Sequence, residues 1–181
     1  MGAPVSKPAF DETMYTKPIE GVTLVESFIE LNGRNINVNR WTPKNVPKAV
    51  VLVSHGLHEH GLRYHGIAEV LAKKNYVVIA MDHSSHGCSE GVRGLITDYK
   101  ILPMDFVSLC QAAHTEFPEI PCFIVAHSMG TLVAIMSMKE LPFVKVSHVQ
   151  IISFRVISFM HLDRRIYIIF CSHRNESPRV G

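Results

Sequence analysis

An α/β fold, with a mostly parallel sheet covered by helices on both faces and an antiparallel hairpin at its N-terminal side, is what this 181-residue sequence predicts. Three observations carry the prediction. The runs AVVLV (49–53), YVVIAM (76–81) and CFIV (122–125) are continuous apolar stretches, the pattern of strands buried on both faces. Segments of helical period lie between and after them. Strand–helix alternation at this spacing builds right-handed βαβ units rather than a meander.

The elements follow in order. Residues 1–20 are polar, contain Pro4, Pro8 and Pro18, and read as a flexible leader. Thr23 to Leu31 alternates as a half-buried strand does, Asn32-Gly33-Arg34 is a hairpin turn signal, and Asn35 to Trp41 returns as a second strand. After the first buried run, Ile67 to Lys74 has helical period. After the second, Met104 to Phe117 is helical, with Pro103 tolerated in the first turn and Pro118 ending it. The third run is followed by a further helix beginning just past Ser128. Residues 21–145 thus form one α/β unit.

From residue 146 the text changes. No alanine occurs in 141–181, five arginines fall at 155 or beyond, and no lysine follows Lys145. Residues 146–181 are therefore expected to be an atypical tail rather than a continuation of the fold.

Composition excludes several classes. The formal charge of +2 and the absence of a basic stripe argue against a nucleic-acid partner. Cys88, Cys110, Cys122 and Cys171 are scattered, two of them in apolar runs, which suits reduced thiols and a cytoplasmic location. No uncharged apolar stretch approaches a membrane span, and no apolar core follows the first residues as in a signal peptide. MGAPVS does fit the M-G-x-x-x-[ST] pattern for N-myristoylation at Gly2, so a peripheral membrane contact is expected as an option.

The chemistry centres on Ser128. A serine nucleophile has to be held out of the sheet on a sharp strand-to-helix turn, with small residues two positions to either side because the chain folds back on itself. Ala126 and Gly130 occupy those positions. The Met129 amide, at the start of the following helix, is the natural donor to an oxyanion. The competing reading is a serine that merely caps the helix.

Two further stretches bear on the choice. SHGLHEHGLRYHG follows the first buried run and DHSSHGCSEG the second. His55, Gly56, Glu59, His60, Arg63 and Tyr64 match H-G-x-G-E-H-x-x-R-Y, with His58 at a glycine position. Asp82, His83, His86, Gly87, Ser89, Glu90 and Gly91 match D-H-x-G-H-G-x-S-E-G, with Ser85 at a glycine position. With Ala126-His127-Ser128-Met129-Gly130-Thr131 against G-H-S-M-G-G, the chain resembles the monoglyceride lipase and lysophospholipase branch of the α/β-hydrolases, the serine aminopeptidase S33-like group. The resemblance covers residues 20–145.

The resemblance implies a serine ester hydrolase that uses no cofactor and takes a small lipid ester. Ser128 is then the nucleophile, the backbone N–H groups of Leu57 and Met129 form the oxyanion hole, and the remaining matched residues hold the loops. The family's acid and histidine come after the serine, beyond a helical cap, so this chain reads as an α/β-hydrolase-type sheet lacking the C-terminal part of the fold. Asp163 and His173 stand in the right order to complete a triad, but no family motif surrounds them. The alternatives are an inactive truncated form without the triad Asp and His, or a peptidase or acyltransferase on the same fold. Without its histidine such a triad loses on the order of 10⁶ in turnover.

Six histidines fall between 55 and 86, so metal catalysis is the rival reading. H-x-H-x-D-H would need an acid where Leu62 stands, and H-E-x-x-H fails after Glu59. No metal is expected.

Overall fold

The computed structural model describes residues 15–144. The hairpin comprises β1 (Val22–Leu31) and β2 (Arg34–Pro43), paired antiparallel with Leu31 opposite Arg34. Asn32 and Gly33 take φ of 51° and 75° at its turn, the left-handed pair that matches strand twist in a two-residue hairpin loop.

Next come β3 (Ala49–Ser54), a 3₁₀ turn (Gly61–Tyr64), α1 (His65–Ala72) and β4 (Tyr76–Met81). They are followed by α2 (Ile101–Glu116), β5 (Cys122–Ala126), α3 (Met129–Ser137) and a second 3₁₀ turn (Met138–Glu140). The described sheet runs β1-β2-β4-β3-β5. β2 lies antiparallel to β4, whereas β4, β3 and β5 are mutually parallel, Val51 facing Val78 on one side and Phe123 on the other. The mostly parallel sheet with an N-terminal hairpin is as expected.

β3 shows why its sequence has no polar alternation. All six of its residues are buried. Val50 and Leu52 pack with Phe106, Leu109 and Val133 of α2 and α3 on one face, and Val51 and Val53 pack with Trp41, Ala68 and Ala72 on the other. A strand between two helical layers has no solvent face to mark. β5 differs from expectation: Cys122 and Ala126 are buried, but Phe123, Ile124 and Val125 are only half covered, because in the described sheet it has a neighbour strand on one side along most of its length. Its other side is touched at one point, where Val144 bridges Cys122 in parallel.

Three boundaries moved. α1 starts two residues before Ile67, at His65, whose Nδ1 accepts a hydrogen bond from Trp41 Nε1 at 3.1 Å. α2 starts at Ile101, so that Pro103 sits in its first turn, where its missing N–H costs nothing. The end of the expected leader is part of the packed unit: Ile19 is buried against the Trp41 side of the core and Tyr15 stacks edge-on against His60. Apolar side chains next to a hydrophobic cluster are drawn into it whatever the polarity of the stretch around them. Gly2, the tail 146–181, Asp163 and His173 lie outside the described residues.

Candidate active site

The turn between β5 and α3 places Ser128 at φ 50° and ψ −119°. Few non-glycine residues hold such a conformation, which costs of order 1–3 kcal/mol and persists only where the surroundings impose it. The turn is imposed from both ends. His127 N–H donates to the Ser54 carbonyl at 3.0 Å, and Gly130 N–H donates back to the His127 carbonyl at 2.8 Å. A β-carbon on Gly130 would overlap the Ser54 carbonyl oxygen and come within 2.6 Å of that of His55. α3 therefore starts in contact with the backbone of β3, and only glycine fits. Ala126, at the other small position, is buried without such a conflict.

Ser128 occupies the N-cap position of α3, yet its hydroxyl makes no capping hydrogen bond. The capping role set against catalysis in the sequence is not the one the geometry uses.

The β3–α1 loop meets this turn at Gly56. A β-carbon there would stand 3.2 Å from Ser128 Cβ and 2.9 Å from His127 Nδ1, so the Gly56 backbone lies directly against the side chains of His127 and Ser128. The Gly56 carbonyl is held from two directions, accepting from His55 Nδ1 at 2.7 Å and from the Glu59 N–H at 3.2 Å. A trans peptide points its N–H opposite its carbonyl. The Leu57 amide thus faces away from His55 and Glu59 N. Among the described residues neither Leu57 N–H nor Met129 N–H donates to a backbone acceptor outside its own element.

His55 is oriented without ambiguity. Its Nε2 accepts the His83 backbone N–H at 2.9 Å, which leaves the ring proton on Nδ1 to donate to Gly56. Burial pushes His55 down to about 3, so the ring is neutral throughout the physiological range. His83, also fully buried, is held neutral by burial and by the neighbouring His55 and His86, and shares a hydrogen bond with Ser54 Oγ at 2.9 Å. The His55 and His83 rings lie 4.4 Å apart, centroid to centroid, and His86 lies 5.4 Å from His55. These histidines build the floor of the loops.

Asp82, at the C-terminal end of β4, accepts from Gly61 N–H at 2.6 Å and Cys88 N–H at 2.7 Å. Burial nonetheless pushes it up to about 6. It joins the two motif-bearing loops by their backbones. At the glycine positions of those motifs, His58 and Ser85 have φ of 59° and 65°, so the residues where this chain departs from the pattern sit in left-handed conformations that glycine adopts freely.

Glu59 is the group whose importance the sequence understated. Its Oε2 accepts from three segments: Gly56 N–H at 2.9 Å, Tyr64 Oη–H at 2.9 Å and His127 Nδ1–H at 3.0 Å. Burial alone would raise its pKa, but these three donors hold it below the ordinary carboxylate value. Burial and the same carboxylate push the Tyr64 phenol up. The signal in the sequence is its place in the H-G-x-G-E-H-x-x-R-Y motif, an acid three residues after Gly56, which does not say what it binds.

Ser128, Leu57 and Met129 are thus brought to adjoining loops at the C-terminal ends of β3 and β5. No histidine ring nitrogen among the described residues hydrogen-bonds Ser128 Oγ; His127, its neighbour, is turned toward Glu59.

Residues 45–150 match the family model described as serine aminopeptidase, S33. The chain is 34% identical to monoglyceride lipase of Rattus norvegicus over 114 residues, 63% of this chain and 38% of that protein. It is 36% identical to monoacylglycerol lipase of Mycolicibacterium smegmatis over 104 residues, 58% of this chain and 37% of that one. A soluble variant of monoglyceride lipase from Saccharomyces cerevisiae, in complex with a substrate analogue, shares the fold with a TM-score of 0.65 at 18% identity, over 76% of this chain and 47% of that one. The chain spans well under half the length of these two lipases.

Proposed function

The chain belongs to the serine aminopeptidase S33 family of α/β-hydrolases, and on that footing we propose that its described residues carry the nucleophile and oxyanion site of a serine ester hydrolase acting on monoacylglycerol- or lysophospholipid-like substrates. One observation carries the reading: Ser128 is held at φ 50°, ψ −119° on a strand-to-helix turn, with its hydroxyl not spent on capping.

In this reading Ser128 Oγ attacks the ester carbonyl carbon, and the Leu57 and Met129 N–H groups donate to the oxygen that gains negative charge. One such donor is worth about 10²–10³ in rate. The alcohol leaves, and water then releases the acid from the serine ester. A histidine has to take the Ser128 proton, and an acid has to orient that histidine. Asp163 and His173 are the candidates in chain order. Lipid esters present themselves at bilayer surfaces; no helix among the described residues is long and apolar enough to cross a membrane, and a myristoyl group at Gly2 would add a weak anchor of roughly 10⁴ M⁻¹.

A second reading has its own support. His127, the histidine beside Ser128, is bonded to Glu59 and not to the serine, which fits a non-catalytic form that binds a lipid ester at the same turn. A fluorophosphonate probe separates the two. Labelling that disappears in Ser128→Ala supports the hydrolase. A folded chain that takes no label supports the inactive form. Release of fatty acid from a monoacylglycerol, against cleavage of an aminoacyl amide or acyl transfer to a second alcohol, distinguishes lipase from peptidase or acyltransferase.

A further inference from the structure

We propose that Glu59 is a positioning residue that sets the spacing between the Leu57 amide and Ser128. The proposal rests on the serine-hydrolase reading above and adds a component to it. Glu59 Oε2 bridges two segments far apart in sequence: the Gly56 N–H of the β3–α1 loop at 2.9 Å and the His127 Nδ1–H of the β5–α3 turn at 3.0 Å. These are the residues immediately before Leu57 and Ser128. Tyr64 Oη–H, at 2.9 Å, fixes the carboxylate from the third side, and Arg63 Nε approaches the other oxygen at 3.6 Å.

The carboxylate suits this place for a chemical reason. It accepts only, so all three groups that meet it have to donate, and His127 carries its proton on Nδ1. Charge-assisted hydrogen bonds are roughly twice as strong as neutral ones. The close approach of Gly56 to the elbow, with room for no β-carbon beside His127 Nδ1, leaves the bridge as the side-chain tie between the two loops that meet at the serine. An oxyanion donor works only within a few tenths of an ångström of its station, so the tie acts on rate through the loop rather than by touching substrate.

The test uses the full chain and a fluorophosphonate probe. The rate constant of Ser128 modification at saturation is separated from the apparent binding constant, and amide exchange at Gly56 is followed in parallel. Glu59→Met keeps length and removes the acceptor; Glu59→Gln keeps a neutral acceptor. The saturating rate is expected to fall roughly tenfold in Glu59→Met, a part of what losing one oxyanion donor costs. Binding should be unchanged, Glu59→Gln should lie in between, and Gly56 exchange should quicken in the same order. His127→Asn, whose Nδ2 stands where Nδ1 stood, should stay near wild type, whereas His127→Ala should fall like Glu59→Met.

Wild-type rates in Glu59→Met, or a loss confined to binding, would overturn the proposal. Should Glu59→Met not fold, the two His127 variants decide, equal rates in both being the negative result. If wild-type Ser128 takes no label, the hydrolase reading fails and the Gly56 exchange decides the bridge by itself: unchanged exchange in both Glu59 variants overturns it.

Discussion

Acidification from pH 7 to pH 5 should destabilise this protein through His55, by an amount the structure sets. The His55 ring is neutral in the folded chain because burial pushes it down to about 3, while in the unfolded chain it titrates at the ordinary value of about 6.5. Between those values the unfolded chain binds the extra proton, so stability is fully present above about 6.5 and falls as the pH drops through it, continuing until about 3. At about 1.36 kcal/mol per unit, the loss from pH 7 to pH 5 is about 2 kcal/mol, a large share of a domain's margin of about 5–15 kcal/mol.

Asp82 works the other way. Its folded value, pushed up to about 6, lets the folded chain take a proton before the unfolded one, which returns about 1 kcal/mol over the same interval. His83, also lowered well below its ordinary value, adds to the loss. The clean quantity is therefore a difference between proteins. Asn at position 55 retains a donor to the Gly56 carbonyl and cannot titrate. Urea unfolding of wild type and His55→Asn at pH 7 and pH 5 should show the wild type losing about 2 kcal/mol more than the variant. Equal losses in both proteins would refute the burial argument.

Two further outcomes follow from single residues. Asp105 is fully buried and accepts from Arg34 twice (2.6 and 3.1 Å), from Asn32 at 3.0 Å and from Ser84 at 2.8 Å, so Asp105→Ala should cost about 3–5 kcal/mol in urea unfolding by stranding those donors. Ser85→Gly should stabilise by about 0.5–1 kcal/mol, because φ 65° strains a serine and not a glycine; a lower melting temperature would contradict it.

Much of this fold is legible in the text because its signals are local. A continuous β-branched run such as Ala49–Val53 needs no knowledge of its neighbours to be read as a doubly covered strand, and Asn32-Gly33 announces its left-handed turn from two residues. The small residues around Ser128 mark the sharp turn in the same way. β5 was less legible: its apolar run says nothing of how many strands lie beside it, so its half-covered middle could not be foreseen. Neither could the burial of Ile19, which depends on Trp41 lying across from it.

The site divides along the same line. Sequence alone determined that a serine stands on a strand-to-helix turn behind two histidine-rich loops, since backbone conformation and periodicity are written in residues a few positions apart. Only the tertiary structure decided that Gly130 lies on the Ser54 carbonyl, that His55 is a neutral Nδ1–H donor, and that Glu59 joins Gly56 to His127. Each of these requires segments distant in sequence to meet, 28 residues apart for His55 and His83 and 68 for Glu59 and His127. What brings them there is the parallel register of β3 between β4 and β5, a pairing set by burial on both faces and not by any one stretch of sequence.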